Sequence, residues 1–347
     1  MFTVTAYIST CGRYFTTLPL AIMSVANQTY KPKHFILYDD GEQKDLRKDN
    51  LYLNIFACLD RKGITWEVKF GGKLGQTANH DKAIDDSNTD LIWRLDDDNV
   101  AESDCLEKLV KHFEDEKVGG VAGLVYHPDS VQDRPWFASS KIEDTFDLPT
   151  IQWFKQPTNI EEVDHFYSTF IYRKKVVVDN NIRYKHKELS KVGHREETIF
   201  SHEIKRAGFK LLVDTSAVTW HFRCSTGGIR QGTAKEMWDH DDEVFKKYLN
   251  DWDVVIRKPE IIVLDSGLGD HIVFKKILPE IRAKYKKLIL AVCYSEVFED
   301  DKDITIISIN EAKKFLGNIE DHNIYKFMWD RNWTKSLAEA FRERYLK

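Results

Sequence analysis

The pattern of apolar and polar positions over the first hundred residues predicts strands that alternate with helices. Short runs rich in β-branched and aromatic side chains, typical of buried strands, occupy residues 2–9, 34–38, 64–70 and 90–95. Helical spacing is found in residues 18–25, in residues 77–86 and after Ser103, a residue suited to cap a helix. We therefore expect an α/β, Rossmann-like fold, with a mostly parallel sheet covered by helices on both faces.

The pattern continues to about residue 252 and then starts again. A helix is predicted at 196–207, a strand at 211–222 and another helix at 237–252. Residues 253–259 have the composition of a linker, and three further short strands follow them. The sequence thus predicts two domains, residues 1–252 and a smaller Rossmann-like βαβ domain at 260–347.

Composition narrows the class of protein. The 347 residues are 42% hydrophobic and 31% charged, which is ordinary for a soluble chain with a sizeable core. A net charge of −5 gives no general attraction to nucleic acid or anionic lipid, so modified nucleic acid is a less favoured partner. We find no apolar run long enough for a transmembrane segment, and the five scattered cysteines are typical of a reducing compartment. A cytoplasmic location is the expectation.

Acidic residues stand where two of the predicted strands end. The first group is Asp39 and Asp40, and the second is Asp96, Asp97 and Asp98. Ligands of open α/β sheets bind beyond the carboxyl ends of the strands, so both groups lie at an expected binding edge. Nothing near in sequence neutralises the three consecutive aspartates, and Arg94 is the nearest base, on the same strand face as Asp96 and Asp98. Either solvent disperses this charge or a bound cation organises it.

A hard divalent cation suits such a strand end. Mg²⁺ or Mn²⁺ takes carboxylate oxygens, keeps waters and completes its coordination with phosphate oxygens. His221 is a candidate further ligand that would favour Mn²⁺, although a histidine beside Trp220 equally suits a protein core. Asp39 and Asp40 are suited to accept hydrogen bonds from a nucleobase or ribose. Together these residues indicate a site for a nucleoside diphosphate. A metal ion there would stabilise the negative charge of a diphosphate that leaves a sugar during glycosyl transfer.

Glu196 and Glu197, at the start of a predicted helix, are candidates for the base that activates an incoming hydroxyl. Adjacent carboxylates raise each other's pKa, which suits a general base near neutral pH. The alternative is structural, because acidic side chains in a first helical turn are stabilised by the helix dipole.

These segments, in this order, resemble glycosyltransferase family 2, whose members have the GT-A fold. Ile8-Ser9-Thr10-Cys11-Gly12-Arg13 stands where the family has a strand ending in Pro-Thr-Tyr-Asn-Arg, and residues 24–30 match its Ser-x-x-x-Gln-Thr-Tyr signature. Asp39-Asp40-Gly41 matches its base-contacting Asp-Asp-Gly, and Asp96-Asp97-Asp98 resembles its Asp-x-Asp metal motif. His194-Arg195-Glu196-Glu197 resembles its Glu-Asp pair, and Trp220-His221 the metal-binding histidine of some members. The resemblance spans about residues 1–250.

The resemblance implies a nucleotide-diphosphate sugar as donor and a role for each matching residue. Asp96 would face the nucleotide, Asp98 with His221 would hold the metal ion, and Glu197 rather than Glu196 would be the base. Donor contacts are implied for Thr10, Arg13, Asp39, Asp40, Gly75, Asn79 and Asp97. Many members have an arginine where this chain has Thr77-Ala78-Asn79, and Arg223, Arg230 and Lys73 are candidates to replace it.

The C-terminal region has a second resemblance. Residues 262–270 and Leu278-Pro279 are similar to the start of heptosyltransferase-like family 9 enzymes, which have two Rossmann-like halves in a GT-B fold. About one half is present here, so we interpret residues 260–347 as an acceptor-binding, docking or dimerising module. Asp270 aligns with the catalytic aspartate of that family.

The function that these patterns predict is an inverting, metal-dependent glycosyltransferase, moving a hexose or pentose to a hydroxyl of a glycan, a lipid-linked molecule or another acceptor. Residues 224–231, which contain Gly227 and Gly228, are expected to close over the donor. Two alternatives remain. A nucleotidyltransferase of related fold would release pyrophosphate, and a catalytically inactive protein would bind nucleotide or glycan without turnover.

Overall fold

The computed structural model describes residues 1–126, 136–137, 142, 160–222, 226–229, 232–255, 260–285, 287–301, 304–313, 316 and 318–347. They form two compact units, with Val255 the last described residue of the first and Glu260 the first strand residue of the second. The predicted linker at 253–259 remains a prediction.

The described elements of the first unit follow the predicted alternation. The strands are Val4–Thr10 (β1), His34–Asp39 (β2), Thr65–Phe70 (β3), Leu91–Asp96 (β4), Asn99–Ala101 (β5), Val118–Tyr126 (β6), Trp136–Phe137 (β7), Ile160–Val163 (β8), Phe170–Arg173 (β9) and Lys210–His221 (β10). The helices are Leu18–Ala26 (α1), Asn50–Arg61 (α2), Gln76–Asp86 (α3), Cys105–Val110 (α4), Lys174–Asp179 (α5), Glu196–Arg206 (α6) and Lys235–Asp251 (α7).

The ten strands described in this unit form one sheet with the order β3-β2-β1-β4-β9-β6-β10-β5, to which β7 and β8 are added beside β6 and β10. Strands β3, β2, β1 and β4 run parallel, as do β6 and β10, whereas β9, β5, β7 and β8 pair antiparallel with their neighbours. The predicted α/β fold class is therefore confirmed.

The register of the parallel strands brings the acidic groups to one edge. Thr10 of β1 pairs with Asp39 of β2, and Ser9 pairs with Asp96 of β4. Because parallel strands end on the same side, the residues that follow β1, β2 and β4 surround a common space.

Alternate residues of each strand face different cores, as the period of a strand requires. Ala6 and Ile8 pack in a core with residues of α1, α2 and α4, whereas Tyr7 packs in the opposite core with residues of α3, α5 and α6. The helices therefore cover both faces of the sheet and leave the strand ends free to form a site.

The predicted cap at Ser103 is wrong. Helix α4 begins at Cys105 after Asp104, and the side chain that receives a first-turn N–H is Gln28, whose Oε1 accepts from the N–H of Leu106 at 2.8 Å. The amide of Gln28 also donates to the carbonyls of Ser24 and Glu102. A residue 78 positions upstream therefore caps this helix, which no local pattern indicates.

The second unit is a smaller α/β unit. Its strands are Glu260–Leu264 (β11), Leu288–Val292 (β12) and Thr305–Ser308 (β13), which pair in parallel in that order. The helices are Leu268–Lys284 (α8), Ile309–Ala312 (α9), Ile324–Asp330 (α10) and Leu337–Leu346 (α11). The predicted smaller parallel sheet is present. In the part of the chain that the structure describes, no helix combines the length and apolar character needed to cross a membrane.

Candidate active site

The charge of the acidic strand end is neutralised from a distant part of the chain. Asp97 and Asp98 are buried, with 6% and 4% of their surface exposed. Nη1 of Arg13 lies 2.6 Å from Oδ1 of Asp97 and 2.6 Å from Oδ2 of Asp98. Thr10 donates its hydroxyl to Oδ2 of Asp97 at 2.7 Å. The sequence suggested solvent or a bound cation, whereas the structure places an arginine 84 residues upstream of Asp97 between the two carboxylates.

Burial and these contacts shift the two pKa values in opposite directions. For Asp97, burial is the largest effect and, despite the opposing influence of Arg13, raises its pKa to about 6. Burial also acts to raise the pKa of Asp98, but its contacts with His221 and Arg13 outweigh burial and lower that pKa. At neutral pH we therefore expect Asp98 to be the firmly ionised member of the pair.

His221 meets the same carboxylate from the end of β10. Its Nε2 lies 3.1 Å from Oδ2 of Asp98, and the N–H of Phe222 donates to the backbone carbonyl of Asp98 at 2.9 Å. Strand β10 pairs antiparallel with β5 here, so that His221 lies opposite Asn99. The pairing of these strands, rather than a local motif, brings the imidazole to the aspartate.

A cleft lies at this edge of the sheet, and the residues already described that line it are Thr10, Arg13, Asp97, Asp98 and His221. Asp39 and Asp40 differ in their access to this cleft. Asp39 is fully buried, and its Oδ1 accepts from the Tyr14 hydroxyl at 2.7 Å and from the N–H of Gly41 at 2.9 Å. Burial raises its pKa. Asp40 lines the cleft; its Oδ2 accepts from the N–H of Gly75, and its buried Oδ1 has no hydrogen-bond partner in the described residues.

Gly75 and Asn79, both predicted donor contacts, lie behind the cleft surface. Gly75 has φ of 96° before the first turn of α3, and a Cβ there would lie 2.6 Å from the carbonyl oxygen of Lys191, so only glycine fits. Asn79 is fully buried and donates to the hydroxyl of Ser9 at 3.0 Å. Neither is among the described residues that line the cleft; Gly75 acts on the cleft by holding Asp40.

Asp96 occupies a more open position at the same edge. The hydroxyl of Ser168 donates to its Oδ2 at 2.8 Å, and Nε of Arg94 lies 3.4 Å from its Oδ1. Its side chain is 27% exposed and lines the cleft. Ser168, in a left-handed conformation with φ of 57°, was not found from the sequence, because it is brought here only by the pairing of β9 with β4.

The two glutamates of α6 are separated by the turn of the helix. The side chain of Glu196 is fully buried, and its Oε1 forms an ion pair with Nη1 of Arg94 at 2.7 Å. Burial raises the pKa of Glu196 to about 8, although the charge of Arg94 opposes this. Glu197 lines the cleft, and its Oε2 is buried without a hydrogen-bond partner in the described residues. Of the two glutamates, Glu197 is therefore the one that faces the cleft.

The cleft also has residues that the sequence reading did not single out, namely Gln76, His80 and Ser168. Its described lining further includes Ser9, Cys11, Arg94 and Ile229, which belong to segments noted in the sequence but were not predicted as site residues. Gly227 and Gly228 line it as well, and the N–H of Gly228 donates to the carbonyl of Cys11 at 2.6 Å. Arg223, Arg230 and the loop ends Cys224 and Gln231 lie outside the described residues, and Lys73 is not among the described lining residues.

Residues 5–179, just over half of the chain, match the sequence model of glycosyl transferase family 2. The chain belongs to glycosyl transferase family 2. The matched region includes both acidic strand ends and stops before Glu196, Glu197 and His221. No curated protein sequence matches the chain.

Several solved structures of S. aureus TarS are similar to the chain. TarS 1–349 in complex with UDP is 15% identical, with 63% of this chain and 60% of that chain covered and a TM-score of 0.46. For TarS 1–349 in complex with UDP-GlcNAc the identity is 14%, the coverage 72% and 67%, and the TM-score 0.49. The structure titled TarS, without residue limits, is 14% identical over 97% of this chain and 50% of that one, with a TM-score of 0.48. The chain thus spans 60% of the length of the first of these.

Proposed function

We propose that the protein transfers a glycosyl group from a nucleoside-diphosphate sugar to an acceptor hydroxyl, with inversion at the anomeric carbon. The observation that supports this most directly is the set of side chains around one cleft of a family 2 chain: the paired acids Asp97 and Asp98, His221 beside them, and Glu197 with an unpartnered carboxylate oxygen. A single displacement needs one base and one stabilised leaving group, and this set supplies candidates for both.

The donor would occupy the edge formed by β1, β2 and β4. In this proposal Asp40, with its unpartnered Oδ1, accepts a hydrogen bond from the nucleobase, with Asp39 fixed behind it by Tyr14. Asp96 and Asp97 hold the ribose side, and Thr10 and Arg13 orient Asp97. Gly75 and Asn79 support this edge through Asp40 and Ser9.

The acceptor would approach from the side of Glu197. The carboxylate of Glu197 would take the proton of the acceptor hydroxyl as the hydroxyl oxygen forms a bond to the anomeric carbon. The bond from the anomeric carbon to the diphosphate oxygen breaks on the opposite face, and the electron pair leaves with the diphosphate. Glu196 is turned away toward Arg94, which favours Glu197 as the base.

Asp98 and His221 fit a divalent cation by their chemistry. Their facing atoms, Oδ2 and Nε2, are 3.1 Å apart, so both can reach one ion, and a mixed oxygen and nitrogen set favours Mn²⁺ over Mg²⁺. The described residues contain no group of three or more histidine, cysteine or acidic side chains arranged for a metal, so diphosphate oxygens and waters would complete the coordination. Such an ion neutralises charge on the departing diphosphate.

For the second unit we propose a docking, acceptor-binding or dimerising role without a second catalytic centre, related to one half of a heptosyltransferase-like fold. The two aspartates that follow its first strand, one directly after it and one in the first turn of α8, are held by neutral partners. Asn323 donates to both carboxylate oxygens of Asp265 at 2.9 and 3.0 Å, and the Tyr325 hydroxyl donates to Asp270 at 2.8 Å.

Calorimetry tests the donor site. The protein is titrated with UDP, GDP, dTDP and CDP sugars in Mn²⁺ and in EDTA, beside Asp98→Ala. We expect one nucleotide sugar to bind in Mn²⁺ and to lose affinity in EDTA and in the variant. NMR of the product then gives its anomeric configuration. Release of pyrophosphate would instead indicate nucleotidyl transfer, and binding of no nucleotide sugar would contradict the proposal.

A further inference from the structure

The floor of the cleft contains an ion pair that the proposed chemistry does not use. Arg94 and Glu196 have side chains that are 3% and 0% exposed, and Nη1 of Arg94 lies 2.7 Å from Oε1 of Glu196. His80 is also buried there, with Nε2 3.6 Å from the same oxygen. Burial lowers the pKa of His80 well below its ordinary value, so Arg94 is the permanent cation of this cluster.

A buried ion pair is weak evidence of stabilisation, because removing two charges from water offsets much of their attraction. Apolar side chains of similar size could fill the same space. A pair in this position is therefore better explained by what it holds in place. Here it joins β4, the strand that ends in the acidic residues, to the first turn of α6.

Because helix geometry relates the directions of neighbouring side chains, the contact of Glu196 with Arg94 also sets the direction of the Glu197 side chain. Successive residues of an α-helix are rotated by about 100° around its axis. With Glu196 directed at Arg94 below the cleft, Glu197 is directed to a different side, where it lines the cleft. A rotation of the first turn of α6 would move both carboxylates together.

The chain that enters α6 is fixed from its other side as well. Arg195, immediately before the helix, has a left-handed φ of 73°, and its Nε lies 3.0 Å from Oδ1 of Asp242 on α7. The N–H of His194 donates to Asp241 at 2.8 Å. Arg94 in turn lies 3.4 Å from Asp96, so the same guanidinium contacts the anchor of the base and an acid of the proposed donor site.

We propose that Arg94 and Glu196 are positioning residues: their ion pair sets the orientation of the first turn of α6 and thereby aims the carboxylate of Glu197 at the acceptor hydroxyl. This inference rests on the proposed glycosyl transfer with Glu197 as base. It also assigns Glu196 a role that is not catalytic, since its buried side chain is not among the described residues that line the cleft.

The test separates donor binding from turnover. Donor affinity is measured by calorimetry, and kcat and the acceptor KM by product formation, for Arg94→Lys, Glu196→Ala, Glu196→Gln and Glu197→Gln. Lysine cannot reproduce the planar fork of arginine, and alanine removes the anchor. For these two variants we expect kcat to fall on the order of 10- to 100-fold, as for residues that orient metal ligands. Donor affinity should stay within about twofold of the wild type in Glu196→Ala, which leaves the contact between Arg94 and Asp96 in place, whereas Arg94→Lys also changes that contact.

Glutamine at position 196 keeps an oxygen that can accept from Arg94, so Glu196→Gln should retain kcat within about fivefold, while Glu197→Gln loses nearly all turnover. The double variant Arg94→Lys/Glu196→Ala should lose no more than the worse single variant, because both changes break one contact. The matched control is Glu203→Ala on the same helix, which removes an ion pair with Lys185 at 2.9 Å and should leave kcat unchanged.

Three results would overturn the inference. If Glu196→Gln is as inactive as Glu197→Gln with donor affinity intact, Glu196 is itself the base. If Arg94→Lys keeps full kcat, or the double variant loses the product of the two single effects, the pair does not position Glu197. Should Arg94→Lys fail to fold, Glu196→Gln and Glu196→Ala decide alone. A wild type without glycosyl transfer would instead refute the proposed function.

Discussion

The ends of β4 and β11 show the same sequence feature with different consequences. Each strand pairs in parallel with a neighbour and ends at aspartates, Asp96–Asp98 in the first unit and Asp265 in the second. At β4 the carboxylates of Asp97 and Asp98 are almost fully buried and share the guanidinium of Arg13. At β11 the aspartate is half-buried and accepts hydrogen bonds from a neutral amide. An acidic strand end is therefore a candidate active site when its charge is buried and matched by a cation.

The largest expected difference between the two units is in catalysis. It is tested by replacing Glu197, the proposed base in the first unit, and Asp270, the candidate acid in the second. Glu197→Gln should lower kcat on the order of 10³-fold, because a general base contributes that much to proton transfer. Asp270→Asn should leave kcat within about twofold. The measurement is the initial rate of product formation. An Asp270→Asn variant as inactive as Glu197→Gln would place catalysis in the second unit.

Removing Arg13, the cation that neutralises the aspartates after β4, should have the next largest effect. Arg13→Gln leaves Asp97 and Asp98 buried side by side, and loss of one partner of a buried charge cluster costs about 3–5 kcal/mol in free energy of unfolding. Urea unfolding measures the change. At the other strand end, Tyr325→Phe removes the hydrogen bond to Asp270 and should cost about 1 kcal/mol or less. Equal losses in the two variants would contradict the comparison.

The proposed metal ligand gives a smaller and more specific effect. Asp98→Asn should weaken Mn²⁺ binding in the presence of nucleotide by more than about tenfold, since even outer partners of metal ligands contribute 10- to 100-fold. Electron paramagnetic resonance of free Mn²⁺ measures this without turnover. Asp265→Asn is the matched variant at β11 and should leave Mn²⁺ affinity unchanged. The same affinity in all three proteins would exclude Asp98 as a ligand.

The last expected effect is a pH dependence of stability. Burial raises the pKa of Asp97 to about 6, so the folded protein binds this proton more tightly than the unfolded chain. The contribution of Asp97 to the free energy of unfolding should therefore fall as pH rises from about 4 to about 6, by up to about 1.4 kcal/mol per pH unit.

Asp97→Asn removes this titration and should flatten the dependence between about pH 4 and pH 6, which thermal unfolding in a series of buffers measures. Glu299→Gln, at an exposed position of the second unit, is the control and should leave the curve unchanged. A curve that keeps its slope in Asp97→Asn would show that this carboxyl does not titrate in that range.

Strands were predictable because their signal is local. Residues 34–38 and 90–95 are largely apolar runs followed by aspartates. The observed strand His34–Asp39 is one residue longer than predicted, and Leu91–Asp96 is shifted by one residue at both ends. The pairing that makes the site was not predictable in this way. Arg13 and Asp97 are 84 residues apart, and strand alternation drew attention to Arg94 instead.

Helix periodicity predicted α6 within one residue of its observed end. It could not by itself distinguish the roles of the two glutamates at the start of this helix. Glu196 and Glu197 are equivalent in sequence, and the position of Arg94 on a neighbouring strand separates them in the structure. The cap at Ser103 failed for the same reason, since the group that satisfies the helix start comes from Gln28. In both cases the outcome depends on a contact between segments that are far apart in sequence. The local pattern of residues does not reveal such a contact.

Gln28 also bears on how relatives of this protein should be recognised. It belongs to the Ser-x-x-x-Gln-Thr-Tyr segment, yet its contacts are with Ser24, Glu102 and Leu106, all of them backbone groups that hold α1 and α4 together. A relative that has lost its enzymatic activity would still be stabilised by this glutamine. Genome searches keyed to that segment would therefore collect pseudoenzymes together with active transferases, and under the proposed function the residues equivalent to Asp98 and Glu197 would separate them.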